Sequence, residues 1–166
     1  MKLNLFLIAM IVLVSCSVQK SGTGQSDITM ALENRNYTFT AQTVFPTEDS
    51  RFNPRLMFPG SANLYQLSGG YDVRVTADSV IAYLPFYGRS FTAPMNPSEG
   101  GIKFTSTDFS YKSTIRKKNF EIDIRPNDNR DVRSLYFVIS PNGYATLQVL
   151  SNNKTPISFN GVIEAN

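Results

Sequence analysis

The chain has no histidine and a single cysteine among its 166 residues. Without histidine, zinc sites of the usual imidazole type and a Ser-His-Asp triad are ruled out. With one cysteine, there is no disulfide framework. No glycine run of the kind that cradles a phosphate is present. Long apolar stretches are also scarce. Residues 5–14, LFLIAMIVLV, form a wholly apolar run, well short of the roughly 20 residues a transmembrane helix needs. Charge of one sign is equally lacking. Sixteen Lys and Arg are interspersed with thirteen Asp and Glu, for a formal net charge of +3. The local run Arg116-Lys117-Lys118 is short and reads first as a solvated turn between strands, or as a contact for anionic headgroups close to a membrane anchor. With no basic face, nucleic acid is not expected as a partner.

What is present begins with the leader. MKLN supplies one positive charge, the apolar run follows, and Leu13-Val14-Ser15-Cys16 closes it. These are the marks of a secretory leader. After Cys16 the chain turns at once to polar, glycine-containing SVQKSGTGQSD. Leu-Val-Ser-Cys resembles the lipobox of bacterial lipoproteins. That resemblance implies cleavage before Cys16, diacylation of its thiol and acylation, palmitate for instance, of the new α-amine. One acyl chain gives only marginal membrane binding, and two or three on one residue give a stable anchor. Ser17, where an aspartate would signal inner-membrane retention, implies delivery to the outer membrane. A linker without an acidic cluster implies a periplasm-facing domain. The expected organisation is a signal peptide over 1–15, a lipidated tether with a short helix over 16–31, and one antiparallel β-domain over 32–166. Ser26 or Asp27 is placed to cap that helix, which Asn34-Arg35-Asn36 ends after at most two turns.

Beyond the helix the periodicity is two. Tyr37, Phe39, Ala41 and Thr43 alternate with Thr38, Thr40 and Gln42. Residues 46–63 hold three prolines and read as a long lid or cover anchored by Arg55-Leu56-Met57-Phe58. Strand signals follow at 71–75 and 80–84, with a turn at Ala77-Asp78-Ser79. Pro85 and Gly88 then mark an edge or a bend. Over 102–115 the parity conflicts: Ile102 and Phe104 share one face, Phe109 and Tyr111 the other. A bulge or sharp bend near Ser106–Asp108 is therefore predicted. Phe120, Ile122 and Ile124, then Leu135, Phe137 and Ile139, then Ala145, Leu147 and Val149, then Ile157, Phe159, Gly161 and Ile163 continue the inward alternation. Pro141-Asn142-Gly143 is a tight turn. Eight to ten short antiparallel strands joined mostly in sequence must hide their edges, which favours a closed or nearly closed β-barrel over a two-sheet β-sandwich.

Residues 79–111, SVIAYLPFYGRSFTAPMNPSEGGIKFTSTDFSY, resemble DUF4251, a family of envelope proteins of Bacteroidetes. The likeness continues through Asp131-Val132 and GYATLQVLSNNKTPISFNGVI, residues 143–163, and includes Leu32–Phe45. The family implies a lipocalin-like antiparallel barrel. It supplies no activity and no catalytic residues. Its members often carry a longer helical lead-in than residues 20–33 provide.

Chemistry is sparse. Asp72 with Asp78, or Asp108 with Glu121, are the candidate carboxylate pairs of a glycosidase-like site. They read more simply as strand-end and wet-face residues. Asn127–Asp131 lacks the glycine and terminal glutamate of a calcium loop, and reads as a turn in which Asp128 or Asp131 makes Asx-type bonds to backbone. The aromatic side chains offer more. Tyr71, Tyr83, Tyr87, Tyr136 and Tyr144, with Arg89, would contact a ligand if they met at one barrel mouth, the arginine facing an anionic group. The expected function is a non-enzymatic envelope lipoprotein holding a small apolar or amphipathic ligand in its barrel, with no catalytic residue, metal or cofactor. The alternative is a structural or protein-interaction module with a packed core, its partner another envelope protein.

Overall fold

The computed structural model describes residues 25–47, 65–92 and 100–166. Cys16 with its leader, and most of the connection 46–63 with Arg55-Leu56-Met57-Phe58, lie outside the described residues. One helix, α1 (Gln25–Glu33), precedes nine strands: β1 (Tyr37–Pro46), β2 (Asp72–Val75), β3 (Val80–Leu84), β4 (Ile102–Ser106), β5 (Phe109–Arg116), β6 (Asn119–Pro126), β7 (Val132–Ile139), β8 (Tyr144–Ser151) and β9 (Ile157–Ala165). All pair antiparallel in one sheet of order β4-β3-β2-β1-β9-β8-β7-β6-β5. A single nine-stranded sheet sets aside the sandwich. Neighbours follow the chain everywhere except where β9 meets β1, so two meanders are zipped together by the first and last strands. The result is a near-closed all-antiparallel barrel with almost no helix.

The inward residues form one core. Tyr37, Phe39, Phe137 and Phe159 are its largest wholly buried side chains, with Leu84, Leu135 and Leu147 among those that fill around them. Phe137 meets Phe39 and Tyr37 edge-on, at centroid distances of 5.6 and 6.4 Å. The alternation read from β6, β8 and β9 holds residue by residue. On β1 it fails after Ala41. A register shift between Ala41 and Thr43 turns Val44, not Thr43, into the core. A second shift, between Val132 and Ser134, lets both of these and Leu135 sit inside. Each bulge inserts one residue and bends the strand, which is how a sheet this size curls.

The predicted break in the long strand is real. β4 ends at Ser106, pairs only with β3 among the described residues, and leads through Thr107-Asp108 into β5, which pairs only with β6. The two edges of the sheet are thus consecutive in the chain, joined at a corner instead of by a ladder.

Helix α1 runs nine residues, slightly beyond two turns, with Ser26 and Asp27 inside its first turn, not before it. Ile28, Ala31 and Leu32 are buried in the core. The helix ends in a Schellman arrangement: the Asn36 amide donates to the Ala31 carbonyl (2.9 Å) and the Arg35 amide to Leu32 (3.3 Å). That geometry needs positive φ at Arg35 (52°), where glycine is the usual residue. Asn36 and Asn166 then tie the start of β1 to the chain's last residue.

Candidate functional site

The aromatic residues singled out above do not converge. Tyr71, just before β2, stacks on Tyr83 of β3 with centroids 5.6 Å apart and rings 12° from parallel. The Lys103 ammonium lies 4.7 Å from the centroid of the Tyr83 ring. Tyr83 alternates with buried Ala82 and Leu84, so this stack lies on the outer face. Tyr87 and Arg89 are exposed on the loop after β3, where the Arg89 guanidinium approaches the Phe91 ring at 5.8 Å. Tyr136 alternates with buried Leu135 and Phe137 and also faces outward. Partial burial raises its pKa, and the neighbouring Glu121 carboxylate adds to the effect. Tyr144 begins β8 and is 64 % exposed. Only Tyr71 and Tyr83 form a pair. Parity already carried this information: a strand that sends Leu135 and Phe137 inward must send Tyr136 outward.

A cleft of about 350 Å³ lies where the start of β4 meets the β6–β7 and β8–β9 loops. Lys154 reaches across it, donating to the Gly101 carbonyl at 2.6 Å and lying 5.4 Å from the Phe86 ring. Desolvation lowers the Lys154 pKa, and the Asp131 carboxylate partly offsets that. The Asx-type bonds of this turn come from Asn129 and not from Asp128 or Asp131: its amide oxygen accepts from the backbone amides of Asp131 and Val132, both at 2.8 Å. The cleft is polar, and its lysine is already engaged by backbone.

Asp128 of the same loop makes contacts that no local pattern of residues announces. Its carboxylate accepts from the Ser106 hydroxyl, from the Thr107 amide at 2.9 Å and from the Asp108 amide at 3.2 Å. These bonds hold its pKa below the ordinary aspartate value, the Ser106 hydroxyl contributing most. Asn127 reinforces the clasp, its backbone amide donating to the Asp108 carbonyl (2.8 Å) and its side chain to the Asp108 carboxylate (2.9 Å). The β6–β7 loop therefore holds the β4–β5 corner shut.

The carboxylate pairs do not form. Asp108 and Glu121 lie toward opposite ends of the β5–β6 hairpin, since Phe109 pairs with Pro126 and Thr114 with Glu121. At about 3.4 Å per residue their backbones are on the order of 20 Å apart. Asp72 is held by Arg74 at 3.1 Å, whereas Asp78 sits in the β2–β3 turn. Among the described residues no group of three or more acidic or cysteine side chains is placed to hold a metal ion.

One interior polar group stands out. The Tyr37 hydroxyl is buried and has no hydrogen-bond partner among the described residues. Burial pushes its pKa well up, and the nearby Tyr111 hydroxyl pushes it further. Tyr111 itself donates to the Leu32 carbonyl at the end of α1 (3.2 Å) and carries the Arg35 guanidinium 4.8 Å from its ring.

The model of a protein family described as a domain of unknown function, DUF4251, matches residues 19–163. No curated protein matches the chain.

Proposed function

The chain belongs to the DUF4251 family, and from that membership together with its filled interior we propose that it is a lipid-anchored envelope module that works through its outer surface. The observation that carries this reading is the packing of the barrel: Tyr37, Phe39, Phe137 and Phe159, with the aliphatic side chains around them, occupy the positions that in a lipocalin-like container would line a ligand cavity. The up-and-down strand order is what a lipocalin-like architecture would share; the occupied centre favours a structural or interaction role over a carrier's. Anchoring is through acylated Cys16, and the domain faces the periplasm from the outer membrane. The role proposed here is non-enzymatic.

Two measurements on protein purified with its own N-terminus test this. Intact mass is expected to show loss of residues 1–15 and two or three acyl chains on Cys16; an unmodified thiol would refute the anchor. Native mass spectrometry is expected to show no further adduct. A discrete added mass that survives gentle ionisation and disappears on denaturation would restore the ligand carrier and overturn the packed-core module.

A further inference from the structure

We infer that the end of the barrel carrying the β5–β6 turn is a docking face for an anionic phospholipid surface. The inference rests on the proposed acylation of Cys16 and specifies how the domain sits once anchored.

The turn itself is the first argument. Lys117 and Lys118 both take positive φ, 49° and 73°, the pair of left-handed residues that a two-residue type I′ hairpin requires. Asn-Gly or Asp-Gly meets that requirement with little strain, whereas a side chain such as lysine is disfavoured in the left-handed region. Two ammonium groups are thus held at a hairpin tip at the expense of backbone comfort, next to Arg116, whose nearest carboxylate is Glu121 at a loose 3.9 Å.

Apolar exposure at the same place is the second. On β5 the inward parity of Phe109 and Tyr111 continues through Ser113 to Ile115, yet on this edge strand Ile115 is 68 % exposed although its cross-strand partner Phe120 is buried. An exposed isoleucine followed directly in the chain by three cations is poorly explained by a strand edge that only repels aggregation. It suits an interface where charge attracts a surface and an apolar side chain enters it.

The third is where the chain enters. Phe120 pairs with Ile139, which puts the β5–β6 tip beside the β7–β8 turn. Gly143 in that turn packs on Ile28 of α1, so the helix and both turns share one end of the barrel. Exposed Tyr144 and Met30 lie there as well. Eight residues separate Cys16 from Gln25. Fully extended they reach at most about 30 Å, which keeps an anchored domain close to the bilayer and lets this end, where the chain enters, meet it. Acidic side chains are present at this end as well: Glu121 faces Arg116 within the hairpin at 3.9 Å, and Asp27, Glu33, Asp78 and Glu164 lie on α1, the β2–β3 turn and β9, so the uncompensated cations are those of the Lys117-Lys118 tip. A second copy is a poor occupant, because pairing two such tips would oppose like charges.

The test uses the chain with its own anchor and the substitution Ile115→Cys, labelled with a polarity-sensitive dye and reconstituted into phosphatidylcholine vesicles with or without phosphatidylglycerol. Acylated Cys16 leaves position 115 as the sole free thiol. The dye is expected to shift to the blue only with phosphatidylglycerol, to return in high salt, and to lose its shift when Lys117→Asn and Lys118→Gly are added. Those two changes relax the turn and should raise thermal stability, so lost docking cannot be blamed on unfolding. Without the anchor, in Cys16→Ser, affinity for anionic vesicles should fall about thirtyfold on the double substitution, at ~1 kcal/mol per basic residue. An identical spectrum in both vesicle types, or one indifferent to the lysines, overturns the docking face. A shift that grows with protein concentration in the absence of vesicles assigns the tip to self-association instead. An unmodified Cys16 with salt-sensitive vesicle binding would refute the anchor and keep the face.

Discussion

The barrel is closed in two places by different means. Between β1 and β9, the residues farthest apart in the chain are zipped by a ladder running from Tyr37–Ala165 to Pro46–Ile157. Between β4 and β5, neighbours in sequence are left unladdered and are held by a few bonds to one loop, centred on Asp128. The first seam is backbone on backbone and closely packed; the second is a side-chain clasp over a two-residue corner. A chain that returns to its start must close a long loop and is repaid by a whole ladder. A chain that only turns a corner needs the bend held.

Perturbing the first seam should cost most. A Cβ on Gly161 would fall 2.0 Å from the Thr40 carbonyl oxygen and 2.9 Å from the Phe39 ring. Because the obstacle is backbone, Gly161→Ala is expected to destabilise by about 3 kcal/mol or more in urea unfolding. A loss below about 1 kcal/mol would mean the strands are not so close. Ser106→Ala removes a buried hydroxyl that donates to both Asp128 and the Asp108 carbonyl. The expected cost is about 1 kcal/mol, clearly less than at the ladder.

Tyr37 lies on the ladder seam and its hydroxyl approaches Tyr111 of the corner strand, so Tyr37→Phe probes the interior between them. Deleting a buried hydroxyl without a partner is expected to raise stability by about 1 kcal/mol. A drop of that size would reveal a bonded group at this spot.

The pH response should come from the clasp. Asp128 has a folded-state pKa lowered from the usual 3.8, so its contribution is complete above that value and fades as pH falls through the depressed folded value. Acid titration of Asp128→Asn should therefore show less loss of stability below pH 3.8 than the parent does. An unchanged acid profile would place the acid sensitivity elsewhere.

Much of this fold is legible in the sequence because alternation with period two names the inward side chains wherever register is unbroken, as along Phe120-Ile122-Ile124 and Ala145-Leu147-Val149. Even the corner shows through, since Phe104 and Phe109 cannot share a face without a bend. The bulge after Ala41 does not, because Thr43 is as good a strand residue as Val44 and only the pairing with β9 decides between them. Left-handed Arg35, Lys117 and Lys118 are hidden for a related reason: turn chemistry is read from Gly and Asn, and these positions carry neither. The Asp128 clasp depends on a contact 20 residues distant in sequence, beyond anything local spacing expresses. Aromatic density alone does not gather the tyrosines at one place, because it marks exposed strand faces as readily as a pocket wall.

Amide hydrogen exchange, resolved residue by residue, tests this two-seam closure most directly. Amides of the β1–β9 ladder around Gly161 should exchange slowest. Those on the outer edges of β4 and β5 should exchange fast, with Thr107 and Asp108 protected in the parent and released in Asp128→Ala. Uniform protection across β4 and β5, or corner amides indifferent to the loss of Asp128, would contradict it.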